Sequence, residues 1–279
     1  MKNKIINLVK RDLIVGFDNN KLKFITIIIL FIIMTYLNAI NLKSEALKLE
    51  ILSENINFVD LFFYTFKGAS YDIGSLPIVW ILIHIYTTYL IGSYCYDDLS
   101  KDSAHIIVKM KNRQVIWISK VIWMILTIVI FYIIAILVIA LFTSIMFNTS
   151  FNWSDFSNKS ILNLSNIDCS SVKFILVIIL IYVLSSITLA ILQMLVSLIL
   201  KPKYIYIINI SILVLALYIK LFLIPIQGSL ILRQNIFNPI YPIAPLSTII
   251  YNLVLFLILF IIGYKYMKKF DFLTSQNTD

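Results

Sequence analysis

Charged side chains are scarce. Asp, Glu, Lys and Arg make up 13% of the 279 residues, against 61% of apolar types. An average soluble domain carries about a quarter charged and about half apolar residues. A soluble fold with the balance found here would leave much apolar surface in water. That excludes a soluble enzyme and a disordered chain, and it points to a polytopic membrane protein. Cysteine is scarcer still, with only Cys95 and Cys169. This excludes a disulfide scaffold, and the topology argued below puts the two on opposite sides of a membrane. The six glycines form no G-x-x-x-x-G-K-[ST] loop, so nucleotide hydrolysis is not expected of this chain. The two histidines, His84 and His105, belong to no H-E-x-x-H or Cys–His cluster, so no metal site is expected. No G-x-S-x-G turn is present either. Acids are missing from the depth of every apolar run, which argues against proton or sodium coupling through intramembrane carboxylates.

What is present is a series of long apolar runs. A helix needs about 20 residues to cross a hydrocarbon layer roughly 30 Å thick. Six runs qualify as spans, at about 24–40, 76–95, 115–147, 172–200, 204–226 and 246–267. Each is expected to be helical, because lipid offers the backbone no hydrogen-bond partners. The expectation is a single all-α transmembrane domain. The first run follows some twenty residues with their own periodicity and precedes no small-residue cleavage site, so it reads as a span and not as a signal peptide. Lysine and arginine set the orientation. With both termini inside, sixteen of the 23 basic residues fall inside and seven outside, while the acids divide evenly. The reading is N-in and C-in. Heavy use of Ile, Lys and Asn points to an AT-rich bacterial genome, and hence to a bacterial cytoplasmic membrane.

The segments between the runs carry their own patterns. Residues 2–21 read as a helix lying on the membrane surface. Ile5, Ile6, Val9, Leu13 and Phe17 share one face, and Lys4, Asn7, Arg11 and Asp18 the opposite one, with Asp12 a misfit at the apolar edge. The cytoplasmic loop 96–114 is too polar for lipid and too short to be a domain. It reads either as a positive-inside loop or as a docking element for a soluble subunit. Three loops face outside, 41–75, 148–171 and 227–245. The first opens on a helical pattern that Ser44 is placed to cap, and continues with Phe58, Leu61, Phe62, Phe63 and Phe66, which suit the membrane interface. The third holds Pro239, Pro242 and Pro245, with Pro225 just before it. That density precludes one straight helix and predicts a broken, partly re-entrant hairpin covered by protein.

Polar groups within the spans are few. Ser186, Gln193 and Ser197 share one face of the fourth run; Asn209 lies in the fifth and Asn252 in the sixth, and His84 is the one ionisable group at mid-depth. Such residues either bond helices together or line a path for an amphipathic substrate.

This layout resembles the permease subunits of ABC transporters of the type-2 (exporter) class, over almost the full length. Members of that family have an amphipathic elbow helix, six spans, a cytoplasmic coupling element after span two and broken outer helices between spans five and six. Two local patterns agree. Asp97 and Asp98, Ser100, the apolar Ile106–Val108, Arg113 and Lys120 stand where the family has its coupling residues. The end, GYKYMKKFDF, repeats a glycine, aromatics, basics and a final acid through Gly263, Lys268, Lys269 and Asp271. The glycine–threonine pair that often follows the first acid is absent, and Asn112 replaces a usual proline. The resemblance implies ATP and Mg2+ bound by a separate ATPase subunit in two copies, and a second permease as homo- or heterodimer. It also implies export of an amphipathic peptide, antibiotic or lipid-like substrate, with no cofactor in this chain and no nucleic acid. The elbow helix, with Lys4 and Arg11, would lie beside the ATPase. The rival readings are a channel or carrier that works without an ATPase, and a membrane sensor for an extracellular peptide.

Overall fold

The computed structural model describes residues 2–52, 55–71, 76–92, 113–162, 169–200 and 202–269. In chain order the helices are α1 (Lys2–Asn19), α2 (Lys21–Lys48), α3 (Phe58–Phe66), α4 (Ile78–Ile91), α5 (Arg113–Met146), α6 (Asp155–Ser160), α7 (Ser171–Ser197), α8 (Pro202–Tyr218) and α9 (Pro245–Lys269). Two short 3-10 turns, Gln227–Ser229 and Ile231–Arg233, lie between α8 and α9. Among the described residues no strand forms; only two isolated bridges occur, Asn57–Asn148 and Gln234–Ile243.

Four helices, α2, α5, α7 and α9, are long and apolar enough to cross a membrane. They are rich in isoleucine and valine, whose stiff side chains lower helix propensity in water. In lipid that preference is overridden, because a helix alone satisfies every backbone group within one segment. Helix α7 is the centre of the bundle, packing against α9, α5, α4, α8 and α3. Of its most apolar stretch 61% is buried, against 17% for α9, which therefore forms an outer wall. Outward-facing Ile29, Ile33 and Leu37 on α2, and Leu253, Leu257 and Ile261 on α9, give that wall an apolar surface.

Several boundaries differ from the apolar runs. Helix α2 continues through Ser44 to Lys48, because Ala39, Leu42 and Ala46 keep the helical spacing of buried positions. Ser44 is exposed in mid-helix and caps nothing; the helix stops where Glu50 turns left-handed (φ 55°) and Ile51 N–H bonds Ala46 O at 3.0 Å. The aromatic stretch expected at the interface is instead a buried helix. In α3 every residue but Tyr64 is buried, and Asn57 and Asp60 close a reciprocal capping box at its start. Helix α4 has 14 residues and α8 has 17. At roughly 1.5 Å per residue they are about 21 and 26 Å long. Helix α8 ends at Tyr218, eight residues short of the apolar run, and carbonyls of its last turn go to the Arg233 side chain.

The two short helices both end on a cation supplied by another element. Lys23 of α2 donates to Tyr89 O near the end of α4 at 3.1 Å and lies 4.6 Å from the Tyr89 ring centre. Arg233 donates to Ala216 O at 2.7 Å and Leu217 O at 2.8 Å in the last turn of α8. Unsatisfied carbonyls gather partial negative charge at a helix C-terminus, and a cation there is favourable.

Candidate functional site

The sequence singled out Asp12 as a misfit, and the structure explains it. Leu8, Asp12, Gly16 and Asn20, four apart, are the buried positions of α1 and its exit. This stripe is rotated by about a quarter turn, at roughly 100° per residue, from the apolar face of Ile6, Val9, Leu13 and Phe17. Helix α1 thus has three faces. One packs on protein, one stays apolar and open, with Ile6 53% exposed, and one is polar.

On the packed face Asp12 is fully buried. Its Oδ2 accepts from Ser119 Oγ at 2.5 Å and its Oδ1 from Lys120 Nζ at 3.1 Å, both on the second turn of α5. Lys120 is itself 1% exposed, and Arg11 stands 3.9 Å from the same Oδ1. Truncating one partner of a buried ion pair costs about 3–5 kcal/mol, because the other charge remains out of water. Two notches fix the packing around the pair. A Cβ on Gly16 would lie 2.1 Å from Trp123 Nε1, and one on Gly263 would lie 2.2 Å from Trp117 Cζ2. Only glycine lets α1 and α9 approach the indoles of α5 so closely. Trp117 also donates to Phe260 O at 3.1 Å. The start of α5, the middle of α1 and the end of α9 are therefore one interlocked end of the bundle.

The coupling residues proposed from sequence are placed in part. Lys120 is in the ion pair, and Arg113 is the first residue of α5. Asp97, Asp98 and Ser100 lie outside the described residues, as does the side chain of Lys4 in α1.

Of the polar span residues, Ser186, Gln193, Ser197, Asn209, Asn252 and His84 are buried and reach different neighbours, while Ser211 of α8 is exposed and donates to Ile207 O of its own helix. Ser186 of α7 pairs with Tyr132 of α5 at 2.7 Å. Gln193 donates to Thr88 O and Gly92 O at 2.9 and 3.2 Å and accepts from Asn209 Nδ2 at 3.0 Å, so one amide joins α4, α7 and α8. Asn252 of α9 reaches Ser185 Oγ at 3.4 Å, and Ser197 donates to Met194 O in its own helix. His84 Nε2 lies 3.1 Å from Ser229 Oγ. In this arrangement these groups fasten helices to one another.

At the opposite end the structure brings forward residues the sequence reading passed over. Asp60 is fully buried and accepts from Ser154 Oγ at 2.7 Å, from Asn57 N at 2.9 Å and from Ser157 Oγ. Burial pushes its carboxyl above the usual carboxylate range, and these three donors oppose the shift in part. Asn57 bonds onward to Ser150 Oγ and Asn152 O, tying α3 to the segment before α6. The N-x-x-D spacing of Asn57 and Asp60 was the available signal, since it is a capping pattern. Nearby, Tyr64 donates to Glu45 Oε1 at 2.9 Å, and burial lowers the Lys67 ammonium against the pull of Glu45. Burial likewise lowers Arg233, opposed by Tyr71 and Tyr241. Among the described residues no three His, Cys, Asp or Glu side chains gather to hold a metal ion. No protein-family model matches the chain, and no curated protein matches it significantly.

Proposed function

We propose that this chain is the membrane-spanning permease subunit of an ATP-driven ABC exporter of the type-2 class. Six spans, with α4 and α8 as the second and fifth, place both termini in the bacterial cytoplasm. ATP and Mg2+ are bound by a separate ATPase subunit in two copies, and a second permease, identical or related, completes the pathway. The substrate is an amphipathic peptide, antibiotic or lipid-like molecule.

The observation that carries this reading is the buried tie between α1 and α5. Loop 96–114 runs into α5 at Arg113, and Ser119 and Lys120 hold Asp12 of α1 about two turns later. A displacement of the loop is delivered to α5 and, through the ion pair, to α1. A soluble subunit touching both grips one lever. ATP shifts an inward–outward equilibrium only if it binds the two states with different affinity, and a lever that does not flex passes that difference into the spans.

The test is gentle affinity purification from the native membrane with mass spectrometry. A stoichiometric soluble subunit with a Walker A loop, and ATPase activity in the preparation, are expected. Charge reversal at Asp97 and Asp98, or at Arg113, is expected to leave insertion intact and abolish transport. A chain that purifies alone without ATPase activity would sink the reading and favour an ATPase-independent channel or a sensor.

A further inference from the structure

Between α8 and α9 the chain enters the bundle and turns back. Residues 226–231, 233 and 234 are all buried, and Leu232 is partly so. Irregular backbone survives there because it bonds locally. Ser229 N–H pairs with Ile226 O, Leu230 N–H with Gln227 O, Arg233 N–H with Leu230 O and Gln234 N–H with Ile231 O, at 2.9–3.2 Å. On one side the segment is held by its chain neighbours, by the charge-assisted contacts of Arg233 to the end of α8, and by bonds to the stretch after α3, where Leu232 N–H donates to Lys67 O at 3.1 Å and Arg233 Nε to Ser70 O at 3.3 Å. On the side of α4 its hydrogen bonds among the described residues pass through a single hydroxyl.

Proton counting at that hydroxyl is complete. Ser229 Oγ has one hydrogen, which goes to Ile226 O at 2.7 Å. Its lone pairs accept Trp80 Nε1–H at 2.8 Å and His84 Nε2–H at 3.1 Å. With that hydrogen on Ile226 O, His84 carries its proton on Nε2, and Nδ1 is a buried acceptor with no donor among the described residues. Turning the ring over would not relieve it, because that would take Nε2 from Ser229 while keeping the ring in its place 5.9 Å from Tyr182 and 4.9 Å from Trp80. The inserted state carries an unsatisfied group that water would satisfy once the segment withdrew.

We propose that residues 226–234 form a removable plug, latched to α4 by Trp80 and His84 through the Ser229 hydroxyl. The seam at α4 is the one that parts, and the plug stays with α8 by way of Arg233. The inference rests on the transport reading only for what the open plug admits; the latch is a property of this chain alone.

The test therefore uses the full-length protein in lipid nanodiscs, without any ATPase. Cys95 and Cys169 are replaced by serine, and Leu230, which is fully buried, by cysteine as a reporter. The reading is the labelling rate with a maleimide. His84→Ala and His84→Leu are both expected to raise it about five- to tenfold, the equivalent of one to two lost hydrogen bonds. His84→Gln, whose amide can donate to Ser229, is expected to restore most of the parent rate. Leucine fills space without donating, so a closed plug in His84→Leu would assign the effect to packing and overturn the latch. Should the His84 variants fail to yield folded protein, Ser229→Ala takes their place, and an unchanged rate there equally overturns the proposal. Loss of a copurifying ATPase would bear on the exporter reading and leave this result untouched.

Discussion

Asp12 and Asp60 are both fully buried carboxylates, at opposite ends of the bundle, and they are satisfied in different ways. Asp12 is met by Lys120, with Ser119 beside it and Arg11 farther off. Asp60 is met by two hydroxyls and a backbone N–H. The first arrangement is a charge pair across two helices that fails badly if one member is lost. The second is a neutral cage that tolerates a proton. The end that grips α1 is thus built for fixed geometry, while the end around α3 joins loops by bonds that are individually weaker.

The sharpest way to break the comparison is Lys120→Met, which removes the nearest cation from buried Asp12 and leaves it Ser119 and the more distant Arg11. A loss of about 3–5 kcal/mol is expected in thermal or denaturant unfolding. The double variant Asp12→Leu/Lys120→Met should recover most of it, because apolar replacement of a whole pair is often neutral. Failure of the double variant to recover would mean that the pair stabilises by more than avoiding a stranded charge. Gly16→Ala attacks the same end without touching charge. The methyl collides with Trp123, and overpacking of that kind costs about 1–3 kcal/mol. Protease access to α1 is the direct readout. Asp60→Ala at the other end removes a cap and leaves Ser154 and Ser157 short of an acceptor, for about 2 kcal/mol.

The smallest effect is the pH dependence of Asp60. Its folded pKa is raised above the ordinary 3.8, so the folded state binds the proton more tightly than the unfolded one. Its contribution to stability is therefore greatest below 3.8 and declines as pH rises from there through the raised value. The parent should lose stability relative to Asp60→Asn across that window on going to neutral pH. An unfolding midpoint difference between the two that stays constant with pH would remove the carboxyl from the account.

Much of this was legible in the residues. The four long apolar helices follow from apolar runs alone, and the helical state of α1 from its periodicity, though not the face it packs. Asp12 stood out because an acid on an apolar edge needs a partner, though one sequence cannot say that Lys120, 108 positions away, supplies it. The burial of α3 was hidden, because Phe58 to Phe66 are equally apt for lipid headgroups or a protein interior, and only the closing of α5, α7 and the hairpin around them decides. The length of α8 was hidden for a related reason. Residues 219–224 are apolar enough to continue a span, but the carbonyls ending α8 go to Arg233, a cation that reads from sequence as a solvated loop residue. Arg233 is 1% exposed because its partners are carbonyls that exist only once α8 has ended.

The short helices have a consequence for the surrounding membrane. Helices α4 and α8 pack against each other and both show apolar side chains outward, Ile78, Ile85 and Tyr89 on one, Ile207, Ile210 and Val214 on the other. Helices α2 and α5, with 28 and 34 residues, rise to about 42 and 51 Å by the same rise per residue. Part of that extra length is polar, with Lys43, Glu45 and Lys48 in the last turns of α2 and Arg113 opening α5. Under the six-span proposal α4 and α8, at about 21 and 26 Å, are shorter than a hydrocarbon layer about 30 Å thick, and the bilayer would thin beside them or the protein would tilt.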